Sequence, residues 1–574
     1  MRLSFALITA GLAIAVLLGA PLAWDGSYWL FKTLDLQIPY VSNERYSNIL
    51  FEAPAAAAGR LTDNLPLLRI LFGLPYAALP LLALAAAWWV VRDRAPGLIL
   101  WAVLGIGLAT LPGQLCFVCE GNISAQLFWP LYLAILVGLP RASFPVLGAV
   151  APLLFFFHPV AIPLFVIAAA TSLLVAVARR EWRKRLMLFA VGLLVLAVLA
   201  ALRLRAIATP YESSQLSLDI QALYFVKAVV GLPLAALLVS WLSGLLFLLS
   251  RHFAGHPTKK LLRNGALWGL ALSGLLLVAW AVQPLAWKDA LLFKTFAVLG
   301  AGPFMLYALL DIMAGRRRGL LHRVDPSYER VAIVLVSLAY VAVLTIQSVL
   351  FSGMTSSVLA DIRSSEAPCI ARSSLTTFQG TALEHWSLTA LVLDHQSRTP
   401  EHILLDTEKA CLEAAAPGPI QLVTWETQGD GWFNLRDARA RIDVAGDCVV
   451  TFSRGFHWVE GTDTDWWVWM WGRGKVLVFV RREEEGSLLG GLTSIQGPNT
   501  VNLWLNDDAL PPVTVDAGVF QPLGPFPLRL TPGVNNILFE SDAPGAFVQD
   551  RSLVLAVHNL RVVLDSGTEC RIVR

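Results

Sequence analysis

The sequence predicts a polytopic α-helical membrane protein with a C-terminal extracytoplasmic domain, mixed α/β at first and then a β-sandwich of jelly-roll type. Three observations predict it. Of 574 residues, 56% are hydrophobic and 15% charged, where a soluble chain carries about a quarter charged. The apolar residues come in blocks of about 17 to 25 as far as Phe351 and then stop, as bilayer spans do. Beyond Arg441, short β-rich runs take their place, separated by turn residues. The net charge is +3, with no basic block outside the loops between spans, so nothing points to a nucleic-acid partner.

The first block, Ser4 to Ala23, follows Met1-Arg2 and is long enough for a span. It reads as a retained helix because many further spans follow. The next blocks lie at about 70–91, 96–115, 123–140, 143–157, 159–178, 186–202, 228–250, 266–282, 291–312 and 331–351, about eleven in all. Arg2, Arg92, Arg94, Arg141, the RREWRKR run from Arg179, and the basic loops 251–263 and 316–330 carry most of the loop charge, which puts them in the cytoplasm. Arg141 and Arg179 then face the same side, so the stretch between them crosses twice, turning at His158-Pro159. This parity leaves the N-terminus cytoplasmic and everything after Ser352 outside, in what reads as a bacterial inner membrane. The expected domains are 1–351, 352–440 and 441–574. Lys294 and Asp311 are the main charges within the spans, and no internal repeat is evident, which argues against a transporter.

All six cysteines fall on the outer side, as suits an oxidising compartment. Cys116 and Cys119 either pair or form a redox motif, although no βαβ pattern surrounds them. Cys369, Cys411, Cys448 and Cys570 allow three connectivities.

In the external domain, TALEHWSLTALVLDHQ and DTEKACLEAAA read as helices. RIDVAG, CVVTF, DWWVWMW, KVLVFV, TVNLWLN, NNILFES and SLVLAVHNLRVVL read as strands. In a strand Trp467, Trp469 and Trp471 share a face; with Trp458 they are either a sugar-stacking stripe or ordinary core or membrane-surface indoles. Asp463 and Asp465 make a D-x-D that reads as chance, since it sits in a turn far from cytosolic nucleotide sugars.

The first outer loop, residues 24–69, is the richest in chemistry. It reads as two surface helices, Gly26 to Leu36 and Arg45 to Leu61, split by the turn at Pro39. Asp25, Tyr28, Trp29 and Lys32 follow helical spacing on the first, with Trp29, Phe31 and Leu34 expected in the membrane interface. Asp25 is either a capping residue or a general base; Asp35 is either a second candidate or simply solvated. Glu44 and Arg45 are spaced for a local ion pair. Arg203 and Arg205 either snorkel at the end of their span or bind an anion. His158 at its turn is either functional or a helix cap. Glu120 and Asn122 share that rim. The histidines and cysteines show no metal-ligand spacing, and no cofactor is expected, with a divalent metal left open.

A first span, an acidic residue at its outer end, a long loop with two juxtamembrane helices, many further spans and an external β domain resemble the GT-C class of membrane glycosyltransferases. The GFHWVE…WWVWMWGRGKVLVFV run is similar to β domains attached to bacterial polysaccharide-building membrane proteins. The resemblance implies transfer of a sugar from a polyprenyl-phosphate donor to a glycan, glycolipid or protein acceptor, with inversion and a loop carboxylate as base. Asp25 and Asp35 are the implied bases, and Arg45, Arg60, Arg203, Arg205 and Lys288 the cations for the leaving phosphate. The competing reading is a non-catalytic component of surface polysaccharide assembly or export, whose β domain holds glycan.

Overall fold

The computed structural model describes residues 2–41, 45–109, 111, 117–207, 231–252, 256–283, 290–317, 326–375, 385–405, scattered positions between 407 and 433, and 448–573 except 454, 463, 544, 545, 549 and 550. Contacts divide the chain into a helical unit, Met1–Asp361 with Thr376–Arg398, and a second unit, Ile362–Leu375 with Thr399–Arg574.

The helical unit contains α1 (Arg2–Leu17), α2 (Asp25–Leu36), α3 (Asn48–Gly59), α4 (Leu65–Val91), α5 (Ile99–Leu104), α6 (Glu120–Leu136), α7 (Phe144–Phe157), α8 (Ala161–Ala178), α9 (Arg183–Ile207), α10 (Leu232–His252), α11 (His256–Ala281), α12 (Ala290–Arg317), α13 (Pro326–Ser364) and α14 (His385–Leu393). Among the described residues, six helices are long and apolar enough to cross a membrane: α4, α8, α9, α10, α11 and α13. This is fewer than the apolar blocks imply, because local breakers cut several blocks short. Helix α1 stops at Leu17, ahead of Gly19 in the left-handed region (φ 78) and Pro21, and does not reach Ala23. Helix α5 passes into a π-turn at Gly105–Ala109. Helix α6 starts at Glu120 and ends before Gly138 and Leu139, both at positive φ.

The turn at His158-Pro159 separates α7 from α8 as expected. Helix α13 instead runs on past Phe351, since Val358, Leu359 and Ile362 continue its buried stripe. Asp311 is satisfied within the bundle: Trp101 Nε1 donates to it (3.1 Å), and Arg251 of α10 donates to both Asp311 of α12 and Glu329 of α13. The Lys294 side chain lies outside the described residues.

In the second unit, β1 (Cys369–Ala371) pairs in parallel with β2 (Ile403–Leu405), and a Cys369–Cys411 disulfide closes the same region. A hairpin follows, β3 (Ile420–Leu422) with β4 (Trp425–Thr427). The sandwich strands are β5 (Cys448–Phe452), β6 (Phe456–Gly461), β7 (Trp466–Met470), β8 (Arg473–Val480), β9 (Glu484–Ser494), β10 (Asn499–Leu505), β11 (Asp508–Val515), β12 (Phe520–Leu530), β13 (Gly533–Ser541), β16 (Leu555–Leu564) and β17 (Arg571–Val573); between β13 and β16, β14 (Ala546–Val548) and β15 (Arg551–Leu553) form a hairpin.

One sheet has the order β11-β10-β13-β8-β5-β17 and the other β12-β9-β16-β7-β6. Val450, Val478, Leu503 and Ile537 from the first meet Val468, Leu488, Leu528 and Val557 from the second in one core, so the two sheets form a sandwich. The Cys448–Cys570 disulfide clips β17, parallel to β5, onto the sheet. The RIDVAG segment lies outside the described residues, as does most of the expected 406–416 helix, of which 410, 411 and 414 are helical. Beyond residue 441, strands β6, β9, β11, β12, β14 and β17 are additional to those read from the sequence. In β9, β11 and β12, Glu, Gly and Pro hide the alternation, which pairing with neighbours nevertheless enforces.

Candidate functional site

The opening of the first loop is set by two backbone constraints. A Cβ on Gly26 would lie 1.8 Å from the Pro21 carbonyl oxygen and 3.2 Å from Val118 Cγ2, so only glycine lets α2 start here. Trp24 caps the helix at φ 57, and Asp25 occupies its first turn, half-buried, where the helix dipole favours a carboxylate.

From Gly26 to Asp35 every residue of α2 is buried. The expected amphipathic split is therefore absent, and Trp29, Phe31 and Leu34 are enclosed by protein. The reason is a lid of other segments. Ser387 of α14 docks on α2: Ser27 Oγ donates to the Ser387 carbonyl (2.8 Å), and Ser387 Oγ donates to the Trp24 carbonyl (2.7 Å). Beyond the Pro39 turn, Tyr40 folds back with its ring 6.0 Å from Tyr28 and 6.1 Å from Trp29. Burial raises the Tyr28 hydroxyl pKa, with Tyr40 adding to it. Burial lowers the Lys32 ammonium, which its neighbour Asp35 opposes; Asp35 is buried and so is not a solvated acid.

The most heavily held acid of the loop is Glu52, on α3. It accepts Thr33 Oγ1 of α2 (2.7 Å), the Tyr40 backbone N–H (2.5 Å) and the Tyr76 hydroxyl of α4 (3.2 Å). Burial pushes its pKa up to about 8, against the pull of those three hydrogen bonds and with help from the charge of Glu120. A lone acid between Phe51 and an alanine run was the available sequence signal for it.

Glu120, fully buried in the first turn of α6, accepts from Arg45 Nη1 at 2.5 Å. Arg45 is thus engaged across the fold, and Glu44 lies outside the described residues. Next to Arg45, the Tyr46 ring centroid is 6.0 Å from the Arg203 guanidinium, and Ser47 Oγ donates to the Leu153 carbonyl (2.9 Å). Arg203 donates to the Phe155 carbonyl (3.0 Å). His158 Nδ1 accepts the Val160 N–H (3.1 Å), a local turn ahead of α8. Asn122 is buried beside Glu120 on α6, and Arg205 is exposed on α9.

Three segments thus come together. Gly26 abuts Val118, two residues before Glu120 and within about 7 Å along the chain; Glu120 holds Arg45; and Tyr46 meets Arg203. Arg60 does not join them. It donates twice to the Gln37 carbonyl (3.0 and 2.6 Å) at the opposite end of α2, about 16 Å along the axis from Asp25. There it lines an open cleft of about 650 Å³ with Asp63 and Arg398, which are 3.2 Å apart. Lys288 lies outside the described residues. Among the described residues no group of three or more His, Cys, Asp or Glu is placed to hold a metal.

Asp394 follows α14 and is fully buried, both oxygens lacking a hydrogen-bond partner among the described residues. Burial raises its pKa well above the usual range, against the attraction of Arg69. Cys116 lies outside the described residues, so its relation to Cys119 is not described.

In the sandwich, Trp467 and Trp469 point outward from β7 while Trp466, Val468 and Met470 enter the core. Trp471, just past the strand, is 56% exposed with its ring 5.2 Å from His457. The Trp458 side chain and Asp463 lie outside the described residues. No protein-family model matches the chain, and no curated protein matches it in sequence.

Proposed function

We propose that this chain is a bacterial inner-membrane glycosyltransferase. It moves a sugar from a polyprenyl-phosphate donor to a glycan, lipid-linked or protein acceptor on the periplasmic face, with inversion. In this reading the chain crosses about eleven times from a cytoplasmic N-terminus, four shorter apolar helices and α6 completing the count. The observation that supports it is the series of contacts Gly26–Val118, Glu120–Arg45 and Tyr46–Arg203, which tie the neighbourhood of Asp25 to two cations where the first loop joins the bundle.

Each part has a task. Asp25, half-buried at the mouth of α2, takes the proton of the acceptor hydroxyl. The acceptor oxygen bonds to the anomeric carbon from the face opposite the phosphate, and the carbon–oxygen bond to the phosphate breaks. Negative charge gathers on that phosphate, and Arg45 and Arg203 offset it. Glu120 fixes the Arg45 guanidinium, and Glu52 ties α2, α3 and α4 into a rigid frame around them.

The test is Asp25→Asn with protein level monitored. Transfer to a surface glycan is expected to fall by about 10²-fold or more, the usual contribution of a general base. Arg203→Gln is expected to weaken donor use while membrane insertion holds. Unaltered surface glycan in the Asp25→Asn strain would return the chain to the role of a non-catalytic assembly component.

A further inference from the structure

The outward face of the five-stranded sheet carries a row of three rings that crosses four strands. On β7, Trp467 lies opposite His558 of β16 in register, their ring centroids 6.0 Å apart. His558 in turn lies opposite Gly491 of β9, and the Phe520 ring of β12 covers that glycine, 5.6 Å from the imidazole. A Cβ on Gly491 would sit 2.2 Å from Phe520 Cε2, so the glycine is what allows the phenyl ring to reach the imidazole.

Phe520 is 56% exposed, and Trp467 and His558 are half-buried. Polar groups flank the row. Asn559 donates to Asp465 Oδ1 (3.3 Å), and Glu460 of β6 lies opposite Trp467. His558 Nε2 has no hydrogen-bond partner among the described residues.

We propose that the Phe520–His558–Trp467 row is a binding site for a neutral glycan chain, with sugar rings laid on the aromatic faces and hydroxyls bonded to the rim pair Asp465 and Asn559. Aromatic faces match the C–H face of a pyranose, while a carboxylate and an amide at the rim suit its hydroxyls. Burial lowers the His558 pKa, against the charge of Asp465, which favours an uncharged imidazole as the middle ring of the row. The acidic flank formed by Asp465 and Glu460 opposes an anionic lipid surface and an acidic polysaccharide, which selects the neutral class. The site lies within the β unit and stands apart from the transferase assignment.

The experiment uses the full-length protein in nanodiscs, titrated with neutral glucan, mannan, galactan and xylan oligosaccharides and followed by calorimetry. At least one is expected to bind. Trp467→Ala and the more exposed Phe520→Ala are each expected to weaken it about tenfold, the loss of one buried anchor at an interface. Trp471→Ala, outside the row, is expected to leave affinity within about twofold. Binding of none of the four, equal binding of an alginate oligosaccharide, or unchanged affinity in Phe520→Ala with the sandwich folded would overturn the proposal. So would quenching of Trp467 fluorescence by doxyl-labelled lipids, which would make this face a membrane contact.

Discussion

At the scale of single residues, Glu52 shows how burial changes what a carboxyl does. In the unfolded chain it ionises near 4.5; in the native fold its pKa is pushed up to about 8. Between those values the native state holds a proton that the unfolded chain has released. Stability therefore falls as pH rises through this window and levels off above it, a span on the order of 5 kcal/mol. Glu52→Gln mimics the protonated acid. It is expected to leave the thermal midpoint near pH 5 almost unchanged and to raise it at pH 8 relative to the parent. A midpoint lowered equally at both pH values would mean that the carboxylate itself holds the loop together. Glu52 stood in the sequence beside Arg45 and Arg60 as one more loop charge. Its weight comes from Thr33, Tyr40 and Tyr76, which lie 19, 12 and 24 residues away in sequence.

At the scale of elements, small residues decide where helices approach and where they stop. Gly105, in the π-turn after α5, lies so close to α6 that an added Cβ would be 2.2 Å from Trp129 Cζ2. Gly105→Ala must displace a fully buried indole, at a cost of about 1–3 kcal/mol. A drop in the detergent-solubilised thermal midpoint, with altered tryptophan emission, is the expected signature; an unmoved midpoint would show that α5 and α6 can slide apart freely. The same logic explains why α1 ends at Leu17 although its apolar run continues. Hydropathy sums over a window and does not register one glycine at φ 78. Helix α2 failed its expected amphipathic pattern for a different reason. Its would-be exposed side is covered by α14, which is more than 300 residues later in the chain and docks through Ser27 and Ser387.

At the scale of the whole molecule, the two units depend on different stabilising devices. The β unit is closed by Cys448–Cys570, which spans 122 residues, and by Cys369–Cys411, which spans 42. In the chain-entropy picture these loops contribute about 5 and about 4 kcal/mol. A Cys448→Ser/Cys570→Ser variant is accordingly expected to become protease-sensitive across residues 448–573 while cleavage of the helical unit is unchanged. Equal resistance with and without the disulfide would show that the core shared by the two sheets suffices alone.

The sequence by itself determined the class of the protein: membrane-length apolar helices, a break at His158-Pro159, and a strand-rich C-terminal part in which Trp467 and Trp469 share a face. These follow from local periodicity and composition, which each segment carries without its neighbours. Only the tertiary structure decided that Arg45 belongs to Glu120, that Arg60 sits in a different cleft, that Glu52 joins three helices, and which cysteines of the β unit pair. Those are contacts between segments far apart in the chain. Their energies depend on burial and distance, which no window of sequence contains.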